Sequence, residues 1–199
     1  PYDGERRAGT VGFPLPGVSL RIADPESGAE LQQGEIGVIE VKGPNVFKGY
    51  RRMPEKTEAE FRPDGFFITG DVSMIDADGY VHIVGRAKDL IISGGFNVYP
   101  QVVEQAIYEH PGVAEALVIG VPDDYRGEAA KAFVALREGA DPFTLDDLRG
   151  FLADKVGKHE MPQQLEIRDA LPRSAVGKLV KTSLREDERR KAVSNAGAT

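Results

Sequence analysis

Gly85-Arg86-Ala87-Lys88-Asp89-Leu90-Ile91-Ile92-Ser93-Gly94-Gly95-Phe96-Asn97-Val98-Tyr99-Pro100 is the stretch where the chain changes rhythm. Before it, the pattern is strand and turn. Val18, Leu20 and Ile22 alternate with Ser19 and Arg21, the period of a half-buried strand. Asp24-Pro25-Glu26-Ser27-Gly28 predicts a turn. Residues 36–41 predict a second strand, ended by Gly43-Pro44-Asn45, and residues 54–61 one short helix with Pro54 in its first turn. Phe66-Phe67-Ile68-Thr69 reads as a strand that stops at Gly70-Asp71, and Asp76-Ala77-Asp78-Gly79 as a hairpin turn into residues 80–84. After Gly85, helices enter. Leu90-Ile91-Ile92 predicts a short apolar strand followed by a turn at Ser93-Gly94-Gly95. Pro100 opens a helix with Val103, Ala106, Ile107 and His110 on one face, closed by Pro111-Gly112. Residues 113–121 and 130–136 predict strands. Thr144 caps a helix with Leu145, Leu148, Phe151 and Leu152 on one side. Residues 164–167 predict a strand, and a last helix runs from Thr182 to about Lys191. The expected class is α+β: a mainly-β segment, residues 1–87, then a compact βαββαβ unit with a terminal helix, residues 88–199. The joint, near Arg86 to Asp89, is short enough to act as a hinge.

Composition removes several classes of function. The 199 residues include no cysteine, which excludes disulfides, thiolate metal sites and a cysteine nucleophile. The three histidines, His82, His110 and His159, lie far apart without metal-ligand spacing, so no metal site is expected. A net charge of −7 argues against nucleic acid or an anionic membrane as partner. No apolar run reaches membrane-spanning length and no signal peptide is evident, so the expectation is a soluble cytoplasmic protein. Pro1 is not an initiator methionine, and the chain reads as part of something longer.

Four constellations carry possible chemistry. Thr69-Gly70-Asp71 sets a carboxylate on a glycine turn, where it can accept two hydrogen bonds from a vicinal diol; a turn-stabilising Asp fits the same residues. Arg86 and Lys88, with Asp89, gather charge at the joint, and the planar fork of Arg86 suits a nucleotide's hydroxyls or phosphate; a solvated surface cluster is the alternative. Gly94-Gly95 lets a ligand approach the backbone, or simply makes a tight turn. Leu171-Pro172-Arg173-Ser174-Ala175-Val176-Gly177-Lys178 reads as a stiff arm with a flexible last joint and a lysine at its tip. An ammonium so placed suits a carboxylate or phosphate held elsewhere, though loop lysines commonly just face water.

Taken in order, Gly34-Glu35, Gly49-Tyr50, Thr69-Gly70-Asp71, Gly85-Arg86, Gly94-Gly95 and Pro172 to Lys178 resemble the C-terminal part of the adenylate-forming superfamily. That superfamily comprises acyl-CoA synthetases, peptide-synthetase adenylation domains and luciferases, and the resemblance covers almost the whole chain. It implies an ATP-dependent step that makes an acyl-adenylate, then transfer of the acyl group to coenzyme A with release of AMP. It implies roles residue by residue. Asp71 would hold the ribose hydroxyls and Arg86 contact the nucleotide. Lys88 would be the hinge of domain rotation. Gly94 and Gly95 would lie beside the coenzyme A arm, and Lys178 would be the catalytic lysine of adenylation. Residues 1–87 would be the terminal β subdomain of the large domain. The phosphate-binding loop, the Mg²⁺-binding glutamate and the acyl pocket would all lie upstream of Pro1, leaving this chain alone inactive. Ser174 stands where the family usually has Thr, and Arg51-Arg52 where an aromatic residue commonly follows the tyrosine.

Residues 1 to about 100 resemble bacterial malonyl-CoA synthetases, through Asn45-Val46-Phe47-Lys48-Gly49-Tyr50, Pro54-Glu55-Lys56-Thr57 and Gly94-Gly95-Phe96-Asn97-Val98-Tyr99-Pro100. From about Gln101 onward the chain is more similar to medium- or long-chain, including pimeloyl-type, synthetases, through Tyr125-Arg126-Gly127-Glu128 and Ser174. The expectations are malonate as the small carboxylic acid substrate and a chimeric origin, with a longer mono- or dicarboxylic acid as the alternative. Pro172 to Lys178 also resembles sites that protein lysine acetyltransferases modify in such enzymes. That implies an acetyltransferase and a deacetylase as partners, acetylation at Lys178 and, as a rival reading, a recognition module for the modifier. A peptide-synthetase domain fits less well, since no Asp-Ser carrier site follows residue 184.

Overall fold

The computed structural model describes residues 7–25 and 27–196, so Pro1 and Glu26 lie outside the described residues. The chain divides into two compact units, Pro1–Lys88 and Asp89–Thr199, and is mixed α+β.

The first unit is one antiparallel sheet of strands β1 (Ser19–Ala23), β2 (Gly37–Lys42), β3 (Phe67–Ile75) and β4 (Val81–Arg86), in that spatial order, with the short helix α1 (Pro54–Glu60) between β2 and β3 in sequence. Ile22, Ile39 and Val81 form its small core, with Leu20, Leu31 and Ile75 against it. Glu40 is fully buried, which requires partners. Arg21 Nε donates to one carboxylate oxygen and Arg62 Nε to the other, both at 2.8 Å. The Asp24 turn forms through Ser27, whose N–H and hydroxyl both donate to Asp24 Oδ1 at 2.7 Å.

The expected strand end at Gly70-Asp71 is corrected. β3 runs on to Ile75, and the pairing with β2 shifts between Val38↔Val72 and Glu40↔Ile68. Two steps along β2 thus face four along β3. Gly70, at φ +74°, supplies the left-handed backbone of a bulge rather than a stop. The sheet continues because Val72 and Ser73 are buried.

The second unit holds β5 (Ile91–Ser93), β6 (Phe96–Val98), α2 (Pro100–Tyr108), β7 (Val113–Asp123), β8 (Gly127–Leu136), α3 (Leu145–Leu152), β9 (Gln164–Ile167) and α4 (Thr182–Ala196). The sheet order is β6-β5-β8-β7, with β9 parallel to β8. Strand β6 is absent from the sequence expectation. Three residues give no period, and only pairing with β5 (Ile91↔Val98) makes them a strand. Side chains alternate across β7 and β8. Val113, Ala116, Val118, Ala130, Ala132 and Val134 face the apolar sides of α2 and α3. Leu117, Ile119, Val121, Phe133 and Ala135 face the other way, toward Leu171, Leu179 and Leu184. The Thr144 cap is a full capping box with Asp147.

Candidate active site

Asp71 lies within the β3 bulge and Arg86 is the last residue of β4. The two are register partners, and Arg86 Nε meets Asp71 Oδ1 at 2.6 Å. Thr69 holds the bulge in shape. Its hydroxyl donates to the Ile39 carbonyl (2.9 Å) and accepts the Asp71 N–H (3.1 Å). Arg86 is the more open of the two, its side chain 56% exposed against 25% for Asp71. The sheet therefore brings together an acceptor for hydroxyls and a fork of donors for a phosphate or hydroxyl. Lys88 is exposed in the single 3₁₀ turn Ala87–Asp89 and ends the first unit.

Gly94 (φ +58°) and Gly95 (φ +85°) are the two central residues of the β5–β6 hairpin turn. Two successive positive φ angles are what a two-residue hairpin with the sheet's twist demands. An added Cβ at either position would meet nothing within 4 Å, so the tip is bare backbone facing open space. The Gly94 N–H donates to the Arg126 carbonyl (2.9 Å), which ties the tip to the β7–β8 turn.

The flexible last joint expected before Lys178 is a closed turn in the structure. The segment is a closed hairpin: Arg173 pairs with Leu179, Ser174 N–H donates to the Lys178 carbonyl (2.8 Å), and Gly177 N–H to the Ser174 carbonyl (2.9 Å). The Ser174 hydroxyl accepts the Lys178 N–H (3.2 Å), a bond that either Ser or Thr can make. Gly177, at φ +80°, closes the turn instead of loosening it. The segment is also less polar than its composition suggests, because Leu171 is buried and Leu179 packs beside it. The Lys178 ammonium is exposed and, among the described residues, makes no hydrogen bond or ion pair.

The supports of this hairpin escaped sequence reasoning. On one side, Arg173 donates to Glu115 of β7 and to the Gly177 carbonyl. On the other, Lys181 Nζ meets Glu104 Oε1 of α2 at 2.7 Å, and that same oxygen accepts the Val118 N–H at 2.8 Å. Burial pushes the Glu104 carboxyl up, against the pull of Lys181. Arg185 of α4 pairs with Asp89 at 2.8 Å. On the same sheet face as the hairpin, Lys131 of β8 is nearly buried, between Glu166 of β9 and Glu188 of α4, at 2.9 Å from each. Lys191 also bridges these two carboxylates (3.0 and 2.7 Å), and Arg168 Nε reaches Glu166 at 2.7 Å. The pattern of α4, Arg185-Glu186-Asp187-Glu188-Arg189-Arg190-Lys191, reads as a solvated helix end. The sequence carries no signal that Glu188 of this helix reaches a lysine three elements away, or that Lys191 joins the same carboxylates.

Residues 102–178 match the AMP-binding enzyme C-terminal domain and residues 1–51 match the AMP-binding enzyme family. The chain belongs to the AMP-binding enzyme family. A long-chain-fatty-acid–CoA ligase of Bacillus subtilis is 43% identical over 185 residues, covering 93% of this chain and 33% of the ligase. ATP-bound MatB from Rhodopseudomonas palustris superposes with a TM-score of 0.88 at 55% identity, over 94% of this chain and 37% of MatB. The amide bond synthetase McbA from Marinactinospora thermotolerans gives 0.83 at 39%, over 89% and 36%. The chain thus spans about a third of the length of the curated relatives it matches.

Proposed function

We propose that this chain is the C-terminal part of an ATP-dependent, AMP-forming acyl-CoA synthetase, and that Lys178 is its adenylation lysine. The observation that carries the reading is the ammonium of Lys178, unpartnered among the described residues, at the tip of a hairpin braced on both sides. A lysine with no structural duty, held at a defined place, is suited to a charge supplied by substrate. Adenylation brings a carboxylate against an α-phosphate, and an ammonium between the two anions offsets their repulsion as charge develops in the transition state. Asp71 accepts the ribose hydroxyls in this reading, and Arg86 donates to the nucleotide from its place beside Asp71. The bare backbone at Gly94 and Gly95 accommodates the thiol-bearing arm of coenzyme A in the second step. Lys88 is the pivot between the two half-reactions, so that one loop leaves as the other arrives. Among the described residues no group of His, Asp and Glu side chains fits a metal ion. In this reading, as the family resemblance implies, the Mg²⁺ that accompanies ATP is held by a glutamate upstream of Pro1.

Malonate is the proposed acid. MatB, a malonyl-CoA synthetase, supports it at 55% identity. The alternative, a longer mono- or dicarboxylic acid, draws on the fatty-acid ligases at 43% and 38%. The exposed Lys178 is also proposed as an acetylation site. Acetylation would remove the charge that adenylation needs.

The test uses the full-length protein. Pyrophosphate release is measured with malonate, methylmalonate and longer acids, and thioester formation is measured separately from supplied acyl-adenylate. Lys178→Ala and acetyl-Lys178 should abolish pyrophosphate release and spare thioester formation. Comparable loss of both half-reactions would refute the role assigned to Lys178, and preference for a long acyl chain would refute malonate.

A further inference from the structure

We propose that Glu104 is a positioning residue for Lys178, acting through Lys181; the inference rests on the adenylation role proposed above. β7 is an edge strand, and its outward N–H groups need partners. Helix α2 packs on one face of the sheet through Val103, Ala106 and Ile107, which turns Glu104 toward that edge. Its Oε1 takes the Val118 N–H from the edge and the Lys181 ammonium from the far side, at 2.8 and 2.7 Å. The two side chains are only 13% and 16% exposed, so little water competes for the contact. One carboxylate oxygen therefore joins α2, the edge of β7 and the chain that leaves the Lys178 hairpin.

The connection from Lys181 to Lys178 is short and stiff. Leu179 packs, partly buried, against the core, and Val180 N–H donates to the Pro172 carbonyl at 2.9 Å, so displacement at Lys181 has few torsions in which to dissipate. The other side of the hairpin is fixed to Glu115, also on β7. Both anchors thus refer Lys178 to the same strand. Stability alone does not call for a charge pair here, since well-packed apolar residues of similar volume serve as well or better. A charge pair fixes direction and distance, which apolar packing does less sharply.

The experiment compares Glu104→Gln, Lys181→Met, Lys181→Arg, the double variant Glu104→Gln/Lys181→Met and Lys178→Ala in the full-length protein, with the two half-reactions measured separately. Glu104→Gln keeps an acceptor for Val118 but loses the grip on the ammonium. Glu104→Gln and Lys181→Met should each slow adenylation by about ten- to a hundred-fold, the scale of a misplaced catalytic group. Thioester formation should stay within about twofold, Lys181→Arg should keep adenylation, and the double variant should be no worse than either single one, because the residues act as a unit. Equal loss of both half-reactions, additive effects, or unchanged adenylation in Glu104→Gln where Lys178→Ala has none would each overturn the inference. Should Lys178→Ala itself keep adenylation, the adenylation role fails and this inference with it, a result distinct from the others.

Discussion

Glu166 of β9 gathers three cations, Lys131, Arg168 and Lys191, and its substitution makes a quantitative test. Burial raises its carboxyl pKa, but hydrogen bonds from Lys131, Lys191 and Arg168 win and hold it at about 2, down from 4.5. A pKa depressed by folding means that the ionised form is favoured in the native state. The stabilisation is therefore complete above the unfolded value of 4.5 and is lost as pH falls through that value toward about 2. A gap of that size corresponds to about 3 kcal/mol near neutral pH and about 1 kcal/mol by pH 3. In Glu166→Gln the shape is kept and the charge removed. Glu188 still faces Lys131 and Lys191, so the expected loss near pH 7 is about 2–3 kcal/mol, shrinking to about 1 kcal/mol or less at pH 3. Urea titrations of both proteins at the two pH values, followed through the methyl resonances of Ala132 and Leu165, report on the strands that flank the network. A difference of the same size at both pH values, or none near neutrality, would refute the reasoning.

The other predictions concern the proposed sites. Gly95→Ala forces a side chain to φ +85° in open space, so it should destabilise the second unit by about 1 kcal/mol through backbone strain alone. In the full-length protein it should slow thioester formation more than adenylation; a larger effect on adenylation would argue against the glycine assignment. Asp71→Asn should raise the KM for ATP and leave urea stability within about 1 kcal/mol, because Arg86, its partner, is more than half exposed and water competes for the pair. A collapse in stability without a change in KM would make Asp71 structural.

Much of the architecture was legible along the chain because it is local. Periodicity places α2, α3, β7, β8 and β9, and a capping residue marks where α3 begins. The family resemblance selected Asp71, Arg86, Gly94, Gly95 and Lys178 from ordered short motifs. Their surroundings were not legible. Gly70 looked like a strand end, since a glycine's φ is free in the sequence and only the buried Val72 and Ser73 beyond it pull the strand onward. Gly177 looked like a loose joint for the same reason, until the bonds from Ser174 closed the turn around it.

The sequence by itself determined the elements other than β6, and which residue types are available for nucleotide, thiol and carboxylate chemistry. Only the tertiary structure decided what holds them in place. Asp71 finds Arg86 through a bulged register, and Lys178 is referred to β7 through Glu104 and Glu115. Lys131 finds Glu166 and Glu188 across β8, β9 and α4. These partners lie 15 to 77 positions apart in the chain, and a charge carries no mark of its partner at such separations. Periodicity reports burial, which acts on each residue singly, whereas an ion pair or a strand register exists only once the two segments have met.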